Sequence, residues 1–142
     1  MPTSLDTIRE ATLTRLQSDA TFRTLTGATN ADPRLYYRFF GDAVISDTQP
    51  VYVTYMLMPH NETAMGVAQP VFSFFLWSRP SGYTALKGVA DRIQALFDRQ
   101  VWTVGSVRVQ SRLIRQGDVD EVPGGQFTGR SMHVRVAFMD VG

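Results

Sequence analysis

The sequence predicts an α+β domain: a mainly antiparallel sheet of about five strands, in the chain order α-β-β-β-α-β-β, with helices packed on one face. Three observations predict it. Pro70 opens a run, Phe72, Phe74, Phe75, Leu76 and Trp77, that is apolar on both faces and reads as a buried central strand. Directly after the turn residues Pro80-Ser81-Gly82, Tyr83, Leu86, Val89, Ala90, Ile93, Leu96 and Phe97 recur at three- and four-residue spacing, the mark of an amphipathic helix. Near the end, two stretches largely alternate between apolar and polar residues, as half-exposed strands do. The helix, roughly 17 residues or about 25 Å long, is expected to lie across the strand ending in Trp77, with Lys87, Asp91, Arg92, Gln94 and Asp98 on its wet side.

The other elements follow in order. Ser4 is an N-cap residue type, Asp6 suits the positive end of a helix, and Leu5, Ile8, Leu13 and Leu16 share a face, so a first helix is expected over residues 5–18. Ser18 or Asp19 caps a further short turn that carries Phe22 and Leu25 and closes at Gly27. Residues 35–40, which are β-prone and end at Gly41-Asp42, give a first strand. Pro50 and Pro59 bracket a second strand over 51–58, expected to pair with the strand after Pro70 through the connection 59–70. Val101-Trp102 anchors the return from the long helix. In the next strand Val107, Val109, Ser111 and Leu113 alternate with Arg108, Gln110, Arg112 and Ile114. In the last, Met132, Val134, Val136 and Phe138 alternate with His133, Arg135 and Ala137, and the two are expected to pair antiparallel. The intervening residues 115–129 have little apolar content to fold them, and part of that stretch is expected to extend the two strands into a projecting ribbon.

Length and charge narrow the function. The 142 residues fit a single domain spanning 1–142, large enough to bury a core without a metal or disulfide. The chain has no cysteine, which removes disulfides, thiolate nucleophiles and cysteine-based metal sites. Fourteen basic against thirteen acidic residues leave a net charge of +1, too little for tight binding to bulk nucleic acid. Lys87 is the lone lysine, so the other thirteen basic residues are arginines. No uncharged apolar run is long enough for a membrane span, and Asp6, Arg9 and Glu10 interrupt the apolar positions a signal peptide would need. No membrane partner is expected.

Each candidate for chemistry has a plainer explanation. His60 and His133 are too few for a histidine cage and sit in no ligand spacing. Asp118, Asp120 and Glu121 lack the glycine and closing glutamate of a calcium loop and read as a solvated acidic segment. Gly124-Gly125 has neither the lysine nor the strand-to-helix context of a phosphate cradle. Thr84 and Lys87 share a helical turn but lack oxyanion donors, and Asn61-Glu62-Thr63 matches a glycosylation site without a secretory context. The tyrosines interleaved with arginines suit packing better than base stacking at this net charge. Enzymatic activity, a bound metal and a cofactor are therefore not expected.

The helix ending in Leu16-Gln17-Ser18-Asp19-Ala20, then Phe22 and Leu25-Thr26-Gly27, then the proline-led strand from Pro50 through Tyr55, resembles the tail completion or tail terminator proteins of long-tailed bacteriophages. The most diagnostic piece is Phe75-Leu76-Trp77-Ser78, followed by Gly82-Tyr83 and the helix through Ile93 and Leu96. The resemblance implies a virion protein, assembled in the host cytoplasm, that forms a homo-oligomeric ring, commonly a hexamer, at the head-proximal end of the tail tube. There it would stop tube polymerisation, with the tail tube protein on one side and the head-side connector or stopper protein on the other. DNA would pass through the lumen without specific binding. A ring needs two unlike surfaces that fit each other. The arginine faces of the last two strands, with Arg108, Arg112, Arg115, Arg130 and Arg135, and the acidic Asp118, Asp120 and Glu121 are such a pair. Another head-tail connector or minor tail protein is the alternative in the same class. The alternative of a different class is a dimeric α+β small-ligand binder or cofactor-free enzyme, with Tyr36, Tyr52 and Trp77 lining a pocket.

Overall fold

The computed structural model describes residues 5–30, 34–37, 51–58, 70–78, 83–104, 107–119 and 128–140. Along the chain these form α1 (Leu5–Gln17), α2 (Ala20–Thr26), β1 (Leu35–Tyr37), β2 (Tyr52–Met58), β3 (Val71–Ser78), α3 (Tyr83–Phe97), β4 (Gln100–Val104), β5 (Val107–Val119) and β6 (Thr128–Asp140). The expected α+β class holds, with one more strand than the sequence suggested. Val101 and Trp102 belong to β4, which pairs antiparallel with β5 at the sheet margin. The second half of the first-strand expectation, residues 38–40, lies outside the described residues, as do the expected connection 59–69 and the turn 79–82.

The six strands make one sheet in the order β1-β2-β3-β6-β5-β4. All pairings are antiparallel except β1 with β2. The expected pairs β2–β3 and β5–β6 both form, and β3 sits inside the sheet, between β2 and β6. The extended ribbon forms too, since β5 runs to Val119 and β6 begins at Thr128. Its described part does not project: β6 from Thr128 to Arg135 is flanked by β3 on its other side.

Alternation then sorts the side chains onto two faces. Phe72, Phe74 and Leu76 of β3, with Val53 of β2 and Met132, Val134 and Val136 of β6, join Leu86, Val89, Ile93 and Phe97 of α3, Phe22 of α2 and Ile8 and Leu16 of α1 in one buried cluster. This is the helix-covered face, and its buried apolar area is the main favourable term in folding. A row of rings runs through it. Tyr37 meets Tyr55 at a centroid distance of 5.6 Å, Phe72 stacks on Phe74 at 5.6 Å, Phe74 on Phe97 at 5.8 Å, and Phe97 meets Trp102 edge-on at 6.2 Å. Arg15 closes the row with its guanidinium 5.1 Å from the Trp102 ring centre, while its Nε donates to the Leu96 carbonyl at 2.8 Å. Trp102 Nε1 donates to Ser111 Oγ at 3.0 Å, so the edge strand is pinned from both sides.

Two sequence expectations need correction here. Trp77 belongs to the opposite face, half-buried against Tyr52 and outside the helix-covered core, because it is odd in a strand whose even residues point to the helices. Arg92 is not on a wet helix face. Its guanidinium makes a two-pronged contact with Asp19, Nε to Oδ2 at 2.8 Å and a terminal nitrogen to Oδ1 at 2.5 Å. Asp19 is also the N-cap of α2, accepting from Phe22 N at 2.8 Å, and Gly27 ends that helix in the left-handed region at φ 77°.

Candidate functional site

The second face of the sheet carries no helix among the described residues, and it divides into two halves of different chemistry. On the β1–β3 half, Tyr36, Tyr52 and Trp77 form their own small cluster. Tyr52 is only 1% exposed, and its ring centre is 6.4 Å from that of Tyr36. Trp77 Nε1 lies 3.4 Å from Thr54 Oγ1, and the indole comes close to Gly129: a Cβ there would fall 2.8 Å from Trp77 Cε3. A glycine in that strand position lets the ring approach the backbone. These three aromatic residues pack against one another.

The β4–β6 half is basic. Arg108 and Arg112 project from β5 on this face and are exposed, and Arg135 of β6 is the direct cross-strand partner of Arg112. Two like charges opposite each other on a sheet are unfavourable. Strict alternation would put Arg115 on the helix side. A register shift between Leu113 and Arg115 inserts Ile114 as an extra residue and reverses the parity, so Arg115 faces the same way as Arg112, opposite His133. The charge of Arg115, added to the larger effect of burial, lowers the His133 pKa below its ordinary value. His133 Nδ1 is 2.8 Å from Ser73 Oγ, and its ring meets Phe75 edge-on. Among the described residues it has no acidic partner to complete a nucleophilic relay.

The expected site residues therefore do not share one surface. Arg108, Arg112, Arg115 and Arg135 lie on the second face. The same parity reversal turns Asp118 and its partner Arg130 to the helix-side face, where they are cross-strand neighbours 3.6 Å apart. Asp118 is still 82% exposed. Asp120 and Glu121 lie outside the described residues. Sequence reasoning missed Arg99, which follows α3 in the left-handed conformation at φ 55°. With Arg112 and Arg135 it borders a depression of about 380 Å³ on the basic half, at whose edge Val101 is 53% exposed. Its signal in the sequence was weak, a lone arginine in a two-residue turn.

No protein-family model matches the chain, and no curated protein matches it. Among solved structures, a chain from the virion of a native gene transfer agent particle matches with a TM-score of 0.66 and 14% identity, over 89% of this chain and 90% of that one. A second solved structure matches with a TM-score of 0.59 and 18% identity, over 97% of both chains. At these identities the likeness is one of fold: the chain shares the α+β architecture of a protein found in a phage-like particle.

Proposed function

We propose that the chain is a structural virion protein of a phage-type particle, acting as a tail terminator: a ring of about six copies at the head-proximal end of the tail tube. The observation that carries this reading is the fold likeness to a chain of the gene transfer agent virion, which extends over about nine tenths of both chains. The short motifs around Leu25-Thr26-Gly27 and Phe75-Leu76-Trp77-Ser78 support the narrower assignment. In this reading the protein is not an enzyme and takes no cofactor. Its partners are other copies of itself, the tail tube protein and the head-side connector, and DNA passes through the ring without specific binding.

In this reading a head-to-tail joint pairs two unlike surfaces. One is the exposed basic half, with Arg108, Arg112 and Arg115. The other is the acidic end of the β5–β6 ribbon, beginning at the exposed Asp118. Negative-stain images of the purified protein are expected to show rings with a central opening. Replacing Asp118, Asp120 and Glu121 by Asn, Asn and Gln should shift sedimentation toward smaller species. A closed two-fold dimer, or a monomer at every concentration tested, would refute the ring, while unchanged sedimentation of the triple variant would refute the interface.

A further inference from the structure

β4 is a sheet edge of an unguarded kind. Its sequence, Gln100-Val101-Trp102-Thr103-Val104, contains no charge, no proline and no glycine, and no described strand pairs with its outer side. Edge strands that are not meant to pair usually carry a lysine, a proline or a bulge. Beside this edge lies the depression bordered by Arg99, Arg112 and Arg135, and among the described residues no acidic one lines it. Three further features mark that depression as built to meet an anion. Arg112 and Arg135 face each other directly across the β5–β6 ladder without a carboxylate between them. Arg135 Nε is buried and has no hydrogen-bond partner among the described residues. Arg99 stands in a left-handed conformation that glycine would adopt more cheaply, which keeps a third guanidinium at the rim.

We propose that the free edge of β4 and the arginine depression beside it hold an extended, carboxylate-bearing segment of a neighbouring protein chain, added as a further strand with one carboxylate among Arg99, Arg112 and Arg135. A strand laid along β4 would stand about 9.6 Å from β5, two strand spacings away. Arg112 of β5 reaches that distance when met by a glutamate, with Arg99 at the rim and Arg135 of β6 bordering the depression one strand further in, so the backbone edge and the charge site can be engaged together. The exposed Val101 and neighbouring Ala137 offer apolar contact to the methylenes of a glutamate, which a phosphate ion lacks. The forked guanidinium matches a planar carboxylate in two parallel hydrogen bonds. A protein segment is favoured over nucleic acid because the chain's net charge is only +1 and the basic residues surround one compact depression, not a track of evenly spaced charges. The site shares its face with the ring interface proposed above and rests on that reading only for which neighbour supplies the segment.

The test uses a fluorescein-labelled peptide alternating valine and glutamate over about seven positions, the length of an ordinary strand. Fluorescence anisotropy with the full chain should show saturable binding. Replacing every glutamate by glutamine, or N-methylating the peptide backbone, should weaken binding about tenfold or more, as should Arg112→Gln or Arg135→Gln in the protein. The fold of each variant is checked by its melting transition. Arg135→Lys should fall between wild type and Arg135→Gln, since it keeps the charge and loses the fork. Equal binding of the glutamine peptide would overturn the proposal. So would displacement of the peptide by millimolar inorganic phosphate alone, or duplex DNA binding that needs Arg112 and Arg135 when the peptide does not bind. Sedimentation of the same variants keeps the two proposals apart: rings without peptide binding sink this one, and peptide binding without rings sinks the ring.

Discussion

Asp19 shows how much one side chain can hold. It caps α2 through Phe22 N and ties that helix to α3 through Arg92, and the hydrogen bonds from Arg92 outweigh burial to hold its pKa below the usual carboxylate range. Asp19→Ala should cost about 1 to 2 kcal/mol from the cap alone. Asp19→Asn should cost less, because the capping oxygen stays while the charge goes. Urea denaturation of the two variants would separate cap from ion pair. The pH dependence has a definite sign. Asp19 stabilises the fold above its unfolded pKa of about 4 and loses that contribution as pH falls through its lower folded value. His133 acts in the same direction in a higher window. Its folded pKa is depressed, so below about pH 6.5 the unfolded chain takes up a proton that the folded chain refuses, and stability falls with pH. Thermal melts between about pH 5 and 8 should show that slope in wild type and a flatter profile in His133→Gln.

The two faces of β3 make opposite predictions for neighbouring residues. Phe74 is fully buried between Phe72 and Phe97, so Phe74→Ala should cost about 3 to 5 kcal/mol. Trp77, half-buried on the other face, should fall below about 3 kcal/mol when truncated, less than its size alone suggests. Gly129 in β6 is coupled to it. Gly129→Ala drives a methyl into the indole and should destabilise by about 1 to 3 kcal/mol, with part of that relieved in a Trp77→Ala background. A double-mutant cycle measures the relief, and additivity would show that the ring does not sit over the glycine. The helix layer behaves differently. In α3, a Cβ on Gly88 would meet only Leu25, at an ordinary 3.5 Å, so Gly88→Ala should stabilise by about 0.5 to 1 kcal/mol through helix propensity. A lower melting temperature would show that α2 and α3 need the closer approach.

At the scale of the whole molecule, the helices bury one face of the sheet, and among the described residues neither the basic half of the other face nor the outer edge of β4 is covered by a helix or strand. An assembly joined by arginines and carboxylates at an exposed surface should be sensitive to screening. Raising salt from about 0.05 to 0.5 M, which shortens the Debye length below 5 Å, should shift sedimentation toward smaller species. An assembly held chiefly by apolar burial would hold its size or grow.

Periodicity alone determined most of this architecture. Both long alternating strands, the three-and-four spacing of α3 and the proline brackets of β2 were legible because each pattern is local and repeats several times within one element. The α2 cap was narrowed to two adjacent residues, and only geometry chose Asp19. β4 escaped notice because five residues hold too few repeats to tell a strand from a turn, and its identity depends on pairing with β5. Which face each charged residue occupies was decided by tertiary structure. The extra residue at Ile114 reverses the alternation, gathering Arg115 with Arg108 and Arg112 and sending Asp118 to Arg130 on the other side. A bulge is fixed by the register of two strands distant in sequence, and no pattern within either strand contains that register.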